Sequence, residues 1–365
     1  MRLSEITDYL ETIAPLAMQE SYDNAGLIVG DKQTEITGAL ISLDVTEDVV
    51  DEAVNLGFNL IIAHHPIVFG GLKKFNGTDY VQRTVIKAIK NNIAIYAAHT
   101  NLDNMLNSGV NAKIAEKIGL QNVQILSQTD NKLCKIVVFV PHAQAEMVRA
   151  AMFDAGAGCV GNYNSCSYNI QGNGTFKATD GCNPFAGNVG ELHTEPETRI
   201  ETIIPKHLLS KTISAMISAH PYEEPAYDIY PLENRYSQAG SGIIGTMPKA
   251  ENASDFLVRI KKTFNCGCIR HTRLPEKPIQ KIAICGGAGS FLINDAMRAG
   301  ADILLTADIK YHQFFDAEYP FVLADIGHYE SEQFTKELFY ELVTKKFSNF
   351  AVRLTKVNTN PIKYV

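Results

Sequence analysis

The chain has 365 residues, 45% of them hydrophobic and 20% charged, with a formal net charge of −7. That length calls for two or three domains, and the acidic balance argues against nucleic acid or an anionic membrane as a general partner. No apolar run reaches the ~18 residues of a membrane span, the N-terminus lacks a signal peptide's apolar stretch, and seven cysteines without a C-x2-C pair fit reduced thiols, so a cytoplasmic location is expected.

A helical stretch leads to a turn at Tyr22-Asp23-Asn24-Ala25-Gly26. Residues 39–43 read as a strand with Asp44 at its end. Residues 46–56 read as a helix that opens on acidic residues and stops at Gly57. The apolar run 60–63 is the next strand, and His64-His65-Pro66 follows it directly. In open α/β sheets ligands bind where strands end. Neighbouring side chains on extended backbone point to opposite sides, so one flat strand does not aim both imidazoles at one ion. The pair suits two neighbouring metals, or one metal plus a substrate, and a pair of plain surface or core histidines is the bland alternative. A Gly-rich loop at 69–72, a helix over 81–91 and a strand over 93–98 come next, and that strand delivers His99-Thr100-Asn101-Leu102-Asp103. Strands alternating with helices indicate parallel βαβ units.

The middle of the chain changes character. Residues 135–141 read as a strand and 144–155 as a helix. The Gly/Asn/Ser/Tyr-rich stretch 156–174 reads as strands joined by turns. A strand-like alternation over 189–204, a helix over 208–219 and a strand over 226–232 complete the order β-α-β-β-α-β, a ferredoxin-like split βαβ unit. Polar or glycine-rich linkers at 127–131 and 236–245 mark this as an insertion over 127–240, between α/β halves at 1–126 and 241–365. The turn around His220-Pro221-Tyr222-Glu223-Glu224-Pro225 is polar and aromatic; it is read as a stiff entry to an edge strand or as a ligand or partner contact.

The α/β pattern then returns. A strand over 281–284 runs into Cys285-Gly286-Gly287-Ala288-Gly289-Ser290, and 303–306 is a further strand. Residues 52–63 and 295–306 show helix end, glycine and strand in the same order and spacing, which sets His65 opposite Asp308. Two related halves facing each other across a site are expected. The last strand, 321–324, leads into Gly327-His328-Tyr329-Glu330-Ser331-Glu332, where His328 and Glu332 are four apart and share one helical face. Three strand ends thus supply His64 and His65, Asp103, and His328 with Glu332. That is more donors than one tetrahedral zinc needs, so two metals bridged by carboxylate and water are expected. Mixed N/O ligation suits Zn first, with Fe, Mn, Co or Ni as alternatives. Glu332 taken alone also fits a helix N-terminus enriched in acids. Asp308 and His312 are read as orienting or acid/base groups, with helix capping the alternative for Asp308. Lys310 is read as a neutraliser of phosphate. His99 is read as a ligand orienter or a hydrogen-bonded core histidine. The 286–290 loop is a weak candidate for a phosphate cradle.

Together these motifs resemble the GTP cyclohydrolase I type 2 homolog family of dinuclear-metal hexameric toroid proteins, in its longer bacterial form with a PII-like insertion. The carriers are residues 22–27, His64-His65-Pro66, 99–103, Asp308-Ile309-Lys310-Tyr311-His312 and 327–332. One departure is Tyr22, where the family has Trp. The resemblance implies metal ligands at His64, His65, Asp103, His328 and Glu332, with Glu332 bridging. It implies a homohexameric ring, a trimer of dimers, whose sites face an internal cavity. It also implies hydrolytic opening of the guanine ring of GTP with formate release, in which a nearby histidine shuttles protons. The reading from the residues alone is a di-metal hydrolase acting on a nucleotide or related phosphorylated small molecule. The alternative is a non-enzymatic metal-binding scaffold acting through its inserted domain.

Overall fold

The apolar runs picked out in the sequence become short strands whose residues are buried throughout. The structure, a computed structural model, describes residues 1–365. Its strands are β1 (Gly26–Val29), β2 (Ala39–Ser42), β3 (Leu60–Ala63), β4 (Ala94–Ala97), β5 (Gln121–Thr129), β6 (Leu133–Pro141), β7 (Tyr168–Lys177), β8 (Leu192–Pro205), β9 (Tyr227–Leu232), β10 (Tyr236–Glu251), β11 (Arg270–His271), β12 (Ile279–Ala288), β13 (Ile303–Ala307), β14 (Val322–Asp325) and β15 (Val352–Leu354). The chain divides into two units, Met1–Gln128 with Gln238–Val365, and Thr129–Ser237. No helix is long and apolar enough to cross a membrane.

The first unit holds two sheets. One has the order β1-β4-β3-β2-β15 and the other β11-β14-β13-β12-β10-β5. In each, three successive strands run parallel, β2-β3-β4 and β12-β13-β14. In each, a short antiparallel strand, β1 or β11, edges the third of them. The two halves are therefore related in topology as well as in sequence pattern. One hydrophobic cluster joins them, with Ile41, Ile62 and Tyr96 from the first half and Ile282, Leu305 and Val322 from the second. Sequence signals set the element ends. Thr46 caps the helix Glu47–Leu56 by accepting from the Val49 N–H, and Gly57 ends it in the left-handed region at φ 69°.

The second unit has the sheet order β7-β8-β6-β9, antiparallel throughout. Helices Ala145–Asp154 and Leu209–Ala219 supply its crossovers, which makes it a ferredoxin-like split βαβ unit. The stretch read as several short strands over 156–174 carries one long strand, β7, which runs on to Lys177.

Two segments read as linkers are not loops. Residues 236–245 open the 16-residue strand β10, and residues 127–129 close β5, its neighbour in the sheet. The glycines that suggested a loop serve close packing of backbones. A Cβ on Gly240 would lie 2.5 Å from Ile125 Cγ2 and 2.9 Å from Gln128 Cα.

Candidate metal centre

The first unit gathers its chemistry at the ends of β3, β4, β13 and β14. Just beyond β3, the N–H groups of His64 and His65 both donate to the Leu43 carbonyl, at 3.1 and 2.9 Å, which fixes the backbone that aims the two rings. His99 and Asp103 follow β4, and His328 and Glu332 follow β14 through Gly327, at φ 93°. A Cβ at Gly327 would meet the Glu330 carboxylate at 2.9 Å or less.

Three donor sets result, His64–His65–His99 and two further sets that share Glu332. His64 Nε2 lies 3.6 Å from Asp103 Oδ1 and 3.7 Å from Glu332 Oε1. His65 Nε2 lies 3.0 Å from Glu332 Oε2, and His328 Nε2 lies 3.1 Å from the same oxygen. The triads His64–Asp103–Glu332 and His65–His328–Glu332 each keep their donor atoms within 4.8 Å of one another. The other ring nitrogens are spoken for. Nδ1 of His64 meets the Ala98 carbonyl at 2.9 Å, that of His65 meets Asp44 at 2.7 Å, and that of His328 meets Asp308 at 2.7 Å. Such acceptors hold a proton on Nδ1 and aim the Nε2 atoms inward. His64 Nε2 and Asp103 Oδ1 are buried and have no hydrogen-bond partner in the protein. A buried polar atom left this way is costly unless something else satisfies it, and a cation between the two does so. The residues fit a bound metal ion.

The charges follow the same arrangement. Burial lowers the His64 pKa to about 4, despite the nearby Glu332. Burial would lower His65 as well, but Asp44 and Glu332 outweigh it and raise that ring to about 9. His328, also opposed by burial, is raised to about 11 by Asp308 and Glu332. Burial raises the Glu332 carboxyl, yet the surrounding imidazoles hold it well below the usual carboxylate range. Burial and the Glu332 charge push Asp103 up.

The five sequence-predicted ligands thus come together. Asp308 reaches His328, as described. His99 stands beside the pair, its ring 5.2 and 5.3 Å from those of His64 and His65, with Nδ1 bonded to Asp23 at 2.8 Å. Asp23 also accepts from the Thr100 N–H and hydroxyl. Burial would raise its carboxyl, but these bonds hold it at about 2. Lys310 and His312 are exposed, and neither borders the cavity of about 680 Å³ that His65, His99, Asp103, His328 and Glu332 line. The 286–290 loop is not an open phosphate cradle. The Gly286 N–H donates to Asn111 and the Gly287 N–H to Ser331. Gly287, at φ 64°, is needed for another reason: a Cβ there would collide with the Glu332 carboxylate. Sequence reasoning missed Asp23, Asp44 and Thr359, whose hydroxyl holds the second Asp44 oxygen at 2.6 Å. A signal existed for Asp44, since it closes a strand adjacent to the one that ends in the histidines.

A two-halved α/β unit with a cluster of possible metal ligands between its halves, interrupted by a ferredoxin-like insertion, is the class of protein this fold and site define. Residues 1–361 match the Duf34/NIF3 (NGG1p interacting factor 3) family, and the chain belongs to it. Curated relatives named GTP cyclohydrolase 1 type 2 homolog include that of Halalkalibacterium halodurans, 39% identical over 99% of this chain and 98% of the relative. That of Bacillus subtilis is 37% identical with the same coverage. Among solved structures, the Bacillus cereus protein related to NIF3 superposes with a TM-score of 0.86 at 39% identity, covering 100% of this chain and 99% of that one. Staphylococcus aureus protein SA1388 gives 0.78 at 28% identity with the same coverage.

Proposed function

We propose that His64, Asp103, His65, His328 and Glu332 hold two divalent metal ions, and that the protein is a hydrolase of a nucleotide or related phosphorylated small molecule. The observation that carries this reading is the split donor set, two triads sharing Glu332 with every imidazole pinned at Nδ1. Mixed N/O donors favour Zn, with Fe, Mn, Co or Ni as alternatives. Ions bound there would lower the pKa of water and polarise the bond to be cleaved. The chain's own residues do the rest. His99, its Nδ1–H on Asp23, keeps Nε2 for the cavity and is the group to carry a proton between water and substrate. Asp23 fixes that tautomer and stabilises the protonated ring. Tyr22, Phe69, Tyr80 and Phe291 line the same cavity and offer ring faces to a planar base. Lys310 and His312 have no part in this reading of a single chain.

The relatives' names make GTP the first substrate to test. Metal-loaded protein is expected to release formate from GTP, and His99→Ala to lose that release while keeping its metal. Turnover of neither GTP nor a broad nucleotide and phosphoester panel would overturn the enzymatic reading. The family resemblance adds a cytoplasmic homohexamer, a ring formed as a trimer of dimers with a PII-like insertion, for which light scattering supplies the mass. One observation favours a second reading: the insertion is a separate unit with its own hydrophobic cluster. In that reading the protein is a non-enzymatic scaffold, and removing the insertion abolishes partner binding but not metal content.

A further inference from the structure

The turn around His220 and Tyr222, singled out in the sequence, belongs to a cavity remote in sequence from the metal ligands. In the inserted unit both helices pack on one face of the sheet, over Ile136, Val138, Val140, Ile200 and Ile204. Side chains alternate along β8, so Glu197 and Arg199 turn to the opposite, helix-free face. There a cavity of about 650 Å³, within the size range of small-molecule sites, is bounded by Phe139, Phe176, Phe185, Glu197, Arg199 and Tyr222. We propose that this cavity binds a planar nitrogen heterocycle that presents two adjacent N–H donors, a guanine-type edge, to the Glu197 carboxylate.

The cavity is built around that carboxylate. Glu197 is only 7% exposed, and its Oε1 accepts the Tyr222 hydroxyl at 2.8 Å. Its side-chain partner is a neutral phenol; the neighbouring Arg199 places Nη2 2.8 Å from Glu201, while its buried Nε has no partner in the protein and is left to meet an acceptor on the ligand. A buried carboxylate without a cation is costly, and two further N–H bonds from a ligand would offset that cost. Strand β7 makes room for it: a Cβ on Gly174 would come within 2.9 Å of Glu197 Oε1 and closer still to the rest of the carboxylate. Tyr222 is held at both ends. Its backbone N–H donates to His220 Nδ1 at 3.0 Å, so His220 carries its proton on Nε2 and donates it to the Phe139 carbonyl at 2.9 Å. Glu223 accepts from the Asn183 N–H at 3.1 Å, which ties the loop after β7 to this turn.

The lining dictates the ligand. Carboxylate oxygens only accept, so the facing edge must donate. The rings of Phe176 and Phe185, 5.6 and 6.2 Å from that of Tyr222, suit a flat π-system. A guanine edge places a ring N–H beside an exocyclic amino group. An adenine edge sets one donor beside an acceptor, which would face a carboxylate lone pair.

Calorimetric titration of the full-length protein with guanosine tests the proposal. Saturable binding is expected, with adenosine weaker by about tenfold or more. Glu197→Gln is expected to weaken guanosine by a similar factor while keeping the wild-type metal content, which separates this site from the metal centre. Should Glu197→Gln fail to fold, Gly174→Ala is expected to show the same loss by displacing the carboxylate. No saturable binding to the wild type, or wild-type affinity in a folded Glu197→Gln or Gly174→Ala protein, would each overturn it.

Discussion

Each imidazole of the candidate metal centre is set by what its Nδ1 touches, and each carboxylate by how many imidazoles face it. Asp103 serves one triad and Glu332 serves both, so their removal has unequal consequences. Mass spectrometric metal analysis of the purified chain is expected to find about two ions in the wild type, about one in Asp103→Ala, and close to none in Glu332→Ala. Equal losses in the two variants would contradict the split assignment. The candidate ligands stood out because His-His-Pro after an apolar run and His-x3-Glu at a helix start are uncommon patterns. Of the acceptors behind them, Asp308 was read as an orienting group, whereas Asp44 and Asp23 were given no role. Asp44 and Asp23 are ordinary residue types lying 21 and 76 positions from the histidines they hold, and only the folded backbone brings them into contact.

At the scale of elements, periodicity located the buried strands well and failed where glycine served packing. Strand β10 was hidden because Gly240, Gly242 and Gly245 interrupt it, and each sits where another backbone or a core side chain approaches closely. The turn from the helix Leu209–Ala219 into β9 was visible as a stiff polar segment, but its hydrogen bonding was not. His220 there is buried and neutral, accepting at Nδ1 and donating at Nε2. Burial depresses its pKa, against the opposing pull of the Phe139 carbonyl and Glu197. An unfolded histidine titrates near about 6.5, so the unfolded chain takes up this proton first. Stability from His220 is therefore complete above that pH and declines as the pH falls toward the depressed folded value. Thermal unfolding at pH 7.5 and 5.5 is expected to show a larger drop in Tm for the wild type than for His220→Gln. An identical drop in both would remove His220 from the acid sensitivity of the protein.

At the scale of the whole chain, a repeat explains why a site forms between the halves of the first unit. The third parallel strand of each half, β4 or β14, ends in a histidine followed four residues later by a carboxylate, His99 with Asp103 and His328 with Glu332. In each case a further aspartate holds the histidine's Nδ1, Asp23 in one half and Asp308 in the other. The halves differ at the preceding strand, where His64 and His65 in the first half stand opposite Ala307 and Asp308 in the second. That asymmetry places His99 at the edge of the cluster and His328 within it. The insertion contributes none of these residues. It leaves the chain at the end of β5 and returns at the start of β10, and these strands are neighbours in one sheet. An insertion whose two ends emerge from adjacent strands is tolerated because a short turn serves the parent sheet equally well. Replacing residues 131–235 by a glycine-rich turn is therefore expected to leave a folded protein with the wild-type metal content per chain. The excised 129–237 segment is expected to unfold cooperatively around Ile136, Val138, Val148 and Ile200. Loss of metal from the shortened protein would show that the insertion supports the centre, and a non-cooperative melt of the excised segment would show that its cluster does not suffice as a core.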